Sequence, residues 1–383
     1  MAPERAEPKS KLQEWFPNVK QPVIISAPML GVSNGTLAAH VSKAGGLGII
    51  PGGADFTPGS AHLANLEKEL IAAREILGIA ELTLTPAPVG VGFITASPSV
   101  SQFKETALPL LEKYMPQAVW LFAPDPAAEP RSHPGIITAL HEHGFQVFVQ
   151  VGTVAAAREA VQDGADVIVA QGVDAGGHQF QQGAGVISLV PEIRAMLDRD
   201  FPSRGVVLVA AGGISEAGGV VAALALGAEA AVMGTRFIVA REALSPEVRR
   251  KVILETQDGG VSTVKSYFHD DVQGTTIWPK LYDGRAIIGD SYKDHASGLP
   301  IEENIKKLKE AKDAGDNSRL VHWAGTGVGL VTEELPAGDI VRFVRDAARE
   351  RLQKVHFLLD DDDKNKRDKS WIKELGQTLY KHR

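Results

Sequence analysis

His178 ends the run DVIVAQGVDAGGH, which begins at Asp166, and its imidazole can take or give a proton near neutral pH. Val167 to Ala170 reads as a short strand buried on both sides. Gln171 and Gly172 mark its tip, and Gly176 with Gly177 lets main chain approach a bound molecule closely. On the residues alone, His178 suits a pocket acid or base as well as a satisfied structural histidine. Asp174, in the same glycine loop, is expected to support the loop rather than to react, because Asp beside glycine bonds readily to nearby amides. His40, His141, His143, His269, His295 and His322 show no metal-ligand spacing, so no metal is expected. His322 or Trp323 is a candidate for a substrate wall, with surface packing as the rival reading.

Two later stretches repeat the pattern of apolar strand followed by small residues: VLVAAGGISEAGG from Val207 and AAVMGTRF from Ala230. Amides at Gly212-Gly213 and Gly234-Thr235 can converge on phosphate oxygens, and Thr235 adds a hydroxyl. The alternative is that these glycines serve only helix–strand packing. Arg236 could add charge or be locked into structure. Near the N-terminus Pro28-Met29-Leu30-Gly31 follows the first strand; Met29 there is equally an ordinary filler of irregular core space.

Positioning these tips requires strands, expected at 23–27, 47–50, 89–95, 118–122, 146–151, 167–170, 206–210 and 230–233. Helices are expected between most of them, at 35–44, 63–77, 101–114, 134–143, 155–163 and 216–226. This order predicts an α/β fold, a (β/α)8 TIM barrel with an additional C-terminal helical, aromatic-rich elaboration. The expected divisions are a polar N-terminal arm over 1–22, a barrel core over 23–240, an extension or lid near the active face over 241–325, and a returning helix with a charged tail over 326–383. PGGADFTPGS after the second strand reads as a flexible rim loop, and 258–300 carries aromatics but few strand signals. Helices are expected at 301–314 and 340–359, and the run DDDDKNKRDK from Asp360 as an exposed segment.

The 383 residues include no cysteine, which excludes disulfides, thiolate metal sites and cysteine nucleophiles. A formal net charge of -7 without a basic stripe argues against nucleic acid, and no apolar run reaches membrane-spanning length. A cytoplasmic protein with no nucleic-acid or membrane partner is expected; the sequence does not choose between monomer and homodimer.

PMLGVSNG, AGGLGIIPGG, GVGFI, QVGTVAAAREAVQDGAD, AQGVDAGGH, AAGGISEAGGVVAALALGAEAAVMGTRF and WAGTGVGLV, in that order, resemble the nitronate monooxygenase family, in particular its fungal-type members. The resemblance spans roughly residues 22 to 359. It implies a barrel carrying non-covalent FMN and oxidation of alkyl nitronates by molecular oxygen to carbonyl compounds and nitrite, with neutral nitroalkanes as further candidate substrates. It further implies FMN phosphate at Gly212, Gly213, Gly234 and Thr235. Pro28, Met29 and Leu30 would lie beside the isoalloxazine, and Gln150 and Gln171 near the ribityl chain or ring edge. Gly176 and Gly177 would approach the cofactor, with His178 as the catalytic residue by the substrate. Three positions depart from relatives: Gln150 where some bacterial members carry Lys, Gly92 where they commonly carry Asn, and Asp174 where Glu is commoner. An NAD(P)H-dependent flavin enoyl reductase is the runner-up, and a cofactor-free phosphosugar isomerase or lyase a more distant one.

Overall fold

Short strands that are apolar on both faces need partners along both edges and cover on both sides, and here they obtain the first by closing on themselves. The strands are β1 (Val23–Ser26), β2 (Leu47–Gly53), β3 (Ala87–Ile94), β4 (Pro116–Phe122), β5 (Gln146–Val151), β6 (Val167–Gln171), β7 (Gly177–Phe180), β8 (Val207–Ala211) and β9 (Ala230–Met233). All but β7 pair in parallel around a closed barrel, and β9 returns to β1 with Val23 opposite Ala230. The computed structural model describes residues 10–80, 83–275 and 277–360. Beyond its first residue, the Asp360 to Lys369 run lies outside them. Among the described residues no helix is long and apolar enough to cross a membrane.

β7 leaves the barrel. It pairs antiparallel with β11 (Tyr282–Ile287), which pairs in turn with β10 (Thr263–Ser266), giving a separate three-stranded sheet. This corrects the expectation that 258–300 holds few strands; His178, which ends the glycine turn, lies on the first of the three. TVKS and YDGRAI are short and polar, so neither shows a strand's periodicity, and the pairing is set by tertiary contact. A helix over Val186–Asp200, absent from the expected elements, packs against β6 and β8.

The N-terminal arm is likewise a packed element. Ser10 and Gln13 form a capping box on a short helix, Lys11–Trp15. Leu12, Phe16 and Val19 are buried against Val23, Val167, Val207 and Ala230, the first residues of their strands, so the arm plugs the N-terminal mouth of the barrel. Three buried apolar side chains contribute about 1.5–3 kcal/mol each, which holds a segment of otherwise polar composition in place. The expected rim loop after β2 is also packed: Pro51 to Gly53 extend the strand, and Phe56 meets Phe93 and Phe103 at ring distances of 5.7 and 5.6 Å.

His133 is buried where the tops of β3 and β4 meet. The Thr95 hydroxyl donates to the Phe122 carbonyl and so accepts from His133 Nε2–H at 2.9 Å. Burial, aided by the charge of Arg131, pushes the His133 pKa down to about 3. Below pH 6.5 the unfolded chain takes up a proton that the folded ring refuses, so this group's stabilisation is complete above that value and is lost as pH falls toward 3. About 2 kcal/mol should disappear between pH 6.5 and 5. Melting temperatures of wild type and His133→Gln at pH 7.5 and 5 check this: the variant should lose less on acidification, and equal losses would contradict the assignment.

Candidate active site

The C-terminal ends of the barrel strands surround a cavity of about 390 Å³. At one end β8 and β9 run into glycine turns. Gly212 (φ 104°) and Gly213 (φ 72°) hold left-handed backbone, and a Cβ on Gly213 would stand 2.9 Å from that of Asp174. A Cβ on Gly234 would meet only Met29 Sδ and Ala27 Cβ, at 3.7 and 3.8 Å, so this turn opens into the cavity. Thr235 Oγ1 accepts the Gly325 N–H at 3.0 Å and keeps its own proton to donate. Arg236 turns away: its guanidinium donates to the Glu333 carbonyl at 3.0 Å, and it is buried.

Gly325 and Gly327, within WAGTGVGLV but not among the expected site residues, complete this wall. A Cβ on Gly325 would approach the Asp174 carbonyl oxygen to 2.5 Å, and one on Gly327 the Gly213 carbonyl oxygen to 2.4 Å. Likewise Gly176 lies against Ala324, where a Cβ would come within 2.3 Å of backbone. Glycine on both sides therefore lets the segment 324–327 pass close over the loops after β6 and β8. The spacing in WAGTGVGLV was the available signal. Asp174 secures the crossing, its carbonyl accepting the Thr326 N–H at 2.9 Å and its carboxylate the Thr326 hydroxyl at 3.3 Å.

Across the cavity, Pro28 sits so close to Gly92 that a Cβ there would lie 2.6 Å from Pro28 Cβ; a longer residue at 92 requires Pro28 to move. Met29 is partly buried in the wall, while Leu30, half exposed, reaches only the rim. Gln150 Oε1 accepts from Trp120 Nε1 at 3.1 Å, which leaves the Gln150 amide hydrogens free. Gln171 donates to the His178 carbonyl at 3.1 Å, and its own buried Oε1 has no protein donor.

His178 enters this space from β7, beside Gly177. Its ring stacks on Trp278 at 3.7 Å and 13° and lies 4.8 Å from Trp323. Nε2 is 2.9 and 3.0 Å from the two carboxylate oxygens of Asp270, itself buried on the short helix Phe268–Asp271. A carboxylate only accepts, so Nε2 carries the hydrogen and Nδ1, which makes no hydrogen bond to protein, presents its lone pair. Nearby, His269 donates to the Val264 carbonyl and burial lowers its pKa, so it stays neutral. Asp270 was not singled out by sequence, since nothing in FHDD marks a partner 92 residues from His178, whereas Trp278 belongs to the aromatic-rich 258–300 stretch. Trp323 lines the cavity; His322 does not, its buried ring facing a neighbouring space.

Residues 126–345 match the nitronate monooxygenase family profile. The chain is 59% identical over 355 residues to a nitronate monooxygenase of Neurospora crassa, covering 90% of this chain and 94% of that protein. Among solved structures it resembles the nitroalkane oxidase of Streptomyces ansochromogenes, with TM-score 0.69, 25% identity and coverage of 90% and 100%. FabK from Thermotoga maritima shares the fold at TM-score 0.69 and 24% identity, with coverage of 91% and 99%.

Proposed function

Because this chain belongs to the nitronate monooxygenase family, we propose that the cavity at the barrel mouth is where FMN and an alkyl nitronate meet, with His178 against the substrate. The protein is an enzyme that oxidises nitronates to carbonyl compounds and nitrite with FMN and molecular oxygen. The observation that carries the site assignment is that the cavity joins the glycine turns after β8 and β9 at one end to an oriented imidazole at the other.

The residues present fit a flavin mononucleotide. Gly212, Gly213, Gly234 and Thr235 offer amides and a hydroxyl proton for a phosphate at the loops after the last two barrel strands, the usual phosphate end of such a barrel. The unpartnered Gln171 Oε1 suits an N–H or hydroxyl of the bound group, and the free amide hydrogens of Gln150 suit an acceptor. Pro28 and Met29 supply an apolar face for a ring system, while Gly176 and Gly177 keep main chain, not side chain, against it. When bound, FMN supplies the electron acceptor for the nitronate and the route of electrons to oxygen.

The protein's own work is binding and proton handling. With a neutral nitroalkane, His178 Nδ1 takes the α-proton while Asp270 holds Nε2–H and stabilises the imidazolium that forms. With a nitronate that proton is already gone, and the same ring places the anion. Trp278 and Trp323 fix the ring's plane and exclude water from one side of it. Bleaching of the flavin absorbance by ethyl nitronate under anaerobic conditions, with NADH and NADPH inert, is the expected result. Rapid bleaching by either nicotinamide with none by nitronate would instead assign an enoyl-reductase activity.

Gly213→Ala tests the cradle. A methyl at φ 72° costs about 1–2 kcal/mol and also presses on Asp174. FMN affinity, measured by equilibrium dialysis of the apoprotein, should fall about tenfold; unchanged affinity would remove Gly213 from the phosphate site.

A further inference from the structure

A second cavity of about 130 Å³ adjoins the first, and Arg249 and Gln273 belong to the walls of both. Its remaining walls include Val248, Leu308, Lys312 and His322. Two features there lack the partners that buried polar groups ordinarily have. His322 is only 6% exposed, yet neither of its ring nitrogens makes a well-formed hydrogen bond; the Asn317 carbonyl offers a poorly aligned contact. Burial and the charge of Arg249 lower its pKa, against a smaller opposite pull from the Asn317 carbonyl, so the ring is neutral and carries one N–H to donate. Arg249, half-buried, makes one long contact of 3.5 Å to the Gly31 carbonyl, and no described carboxylate lies within 4.0 Å of it. Lys312, exposed at the rim, likewise has no described carboxylate within that distance.

A guanidinium without a carboxylate partner and a poorly partnered imidazole, both in the walls of one small space, each carry a desolvation cost that a single acceptor of negative charge relieves. The apolar walls from Val248 and Leu308 restrict that acceptor to something compact. We propose that this side cavity binds a compact monovalent oxyanion, with Arg249 and His322 as hydrogen-bond donors and Lys312 as the charge at its rim. Nitrite, the anion released by the reaction, is the occupant; that identity rests on the function proposed above, whereas the site itself does not. Nitrite held here would lie beside the reaction cavity and away from His178, so product could leave the substrate position without leaving the protein.

Imidazole-15N spectra of histidine-labelled, FMN-loaded enzyme titrated with sodium nitrite test this without turnover. His322→Gln and His178→Asn assign the two resonances. The expected result is a saturable shift of the His322 signal, with apparent affinity at least about threefold weaker in Lys312→Met, since loss of a rim charge weakens anion binding without touching the walls. No movement of His322, movement of His178 alone, or equal affinity in Lys312→Met would overturn the site. Nitrite release from ethyl nitronate is measured separately: a His322 response in an enzyme that releases none would keep the oxyanion site and reject reaction-derived nitrite as its natural occupant.

Discussion

His178→Asn should retain the flavin spectrum while neutral-nitroalkane oxidation falls by about 10²–10⁴-fold, the range for loss of a positioned general base. The phosphate cradle and the glutamines do not depend on the imidazole side chain, since Gln171 bonds to the His178 backbone carbonyl. The shorter Asn cannot supply a basic lone pair, and it withdraws the donor from Asp270, whose buried carboxylate then costs about 1–3 kcal/mol in stability. A preformed nitronate should lose much less rate because no proton has to be taken. Anaerobic stopped-flow flavin reduction with each substrate separates the cases. Wild-type rates with both would make His178 structural, and equal large losses would assign it to placing the anion instead.

Asp270→Asn should lower neutral-nitroalkane oxidation by about 10- to 100-fold, the scale for removing the group that orients a functional imidazole. Asn preserves shape but offers a donor as well as an acceptor, so Nε2–H is no longer enforced and the imidazolium loses its counter-charge. The loss should fall on kcat rather than KM, and Asp270→Glu, which restores charge in a longer side chain, should recover part of it. A purely structural Asp270 predicts a different pattern, lower melting temperature with an unchanged ratio of rates on neutral substrate and nitronate. Asp270 is a positioning residue, acting through His178; Trp278, stacked on the face of the His178 ring, helps hold it.

Some of the site was legible because its signals are local. Gly212-Gly213 and Gly234-Thr235 follow apolar strands directly, and the tips after β1, β5 and β6 lie in consecutive residues, so reading a strand end also read a cavity wall. Leu30 shows the limit of this logic: the next residue after Met29 reaches only the rim, because Gly31 at φ 72° turns the chain there. Asp270 comes from a distant part of the chain, and no spacing relates it to β6; Trp278, Gly325 and Gly327 lie in aromatic- or glycine-rich stretches whose contacts with β7 and the loops after β6 and β8 only the fold sets.

The barrel itself was determined by sequence: eight runs such as VIIS, QVFVQV and VLVAA are apolar on both faces and can only be satisfied by neighbours on each side and helices outside. So were the glycine turns, because left-handed backbone at Gly212 and Gly213 is a property of those residues. Tertiary structure alone decided what His178 does with its ring. β7 pairs with β11 through main-chain hydrogen bonds that any residues can make, and the arm's Leu12 and Phe16 find the barrel bottom only once the strands have closed. Hydrogen-bonded pairing of short polar strands carries no periodic signature, whereas the carboxylate it delivers to His178 sets which nitrogen is basic.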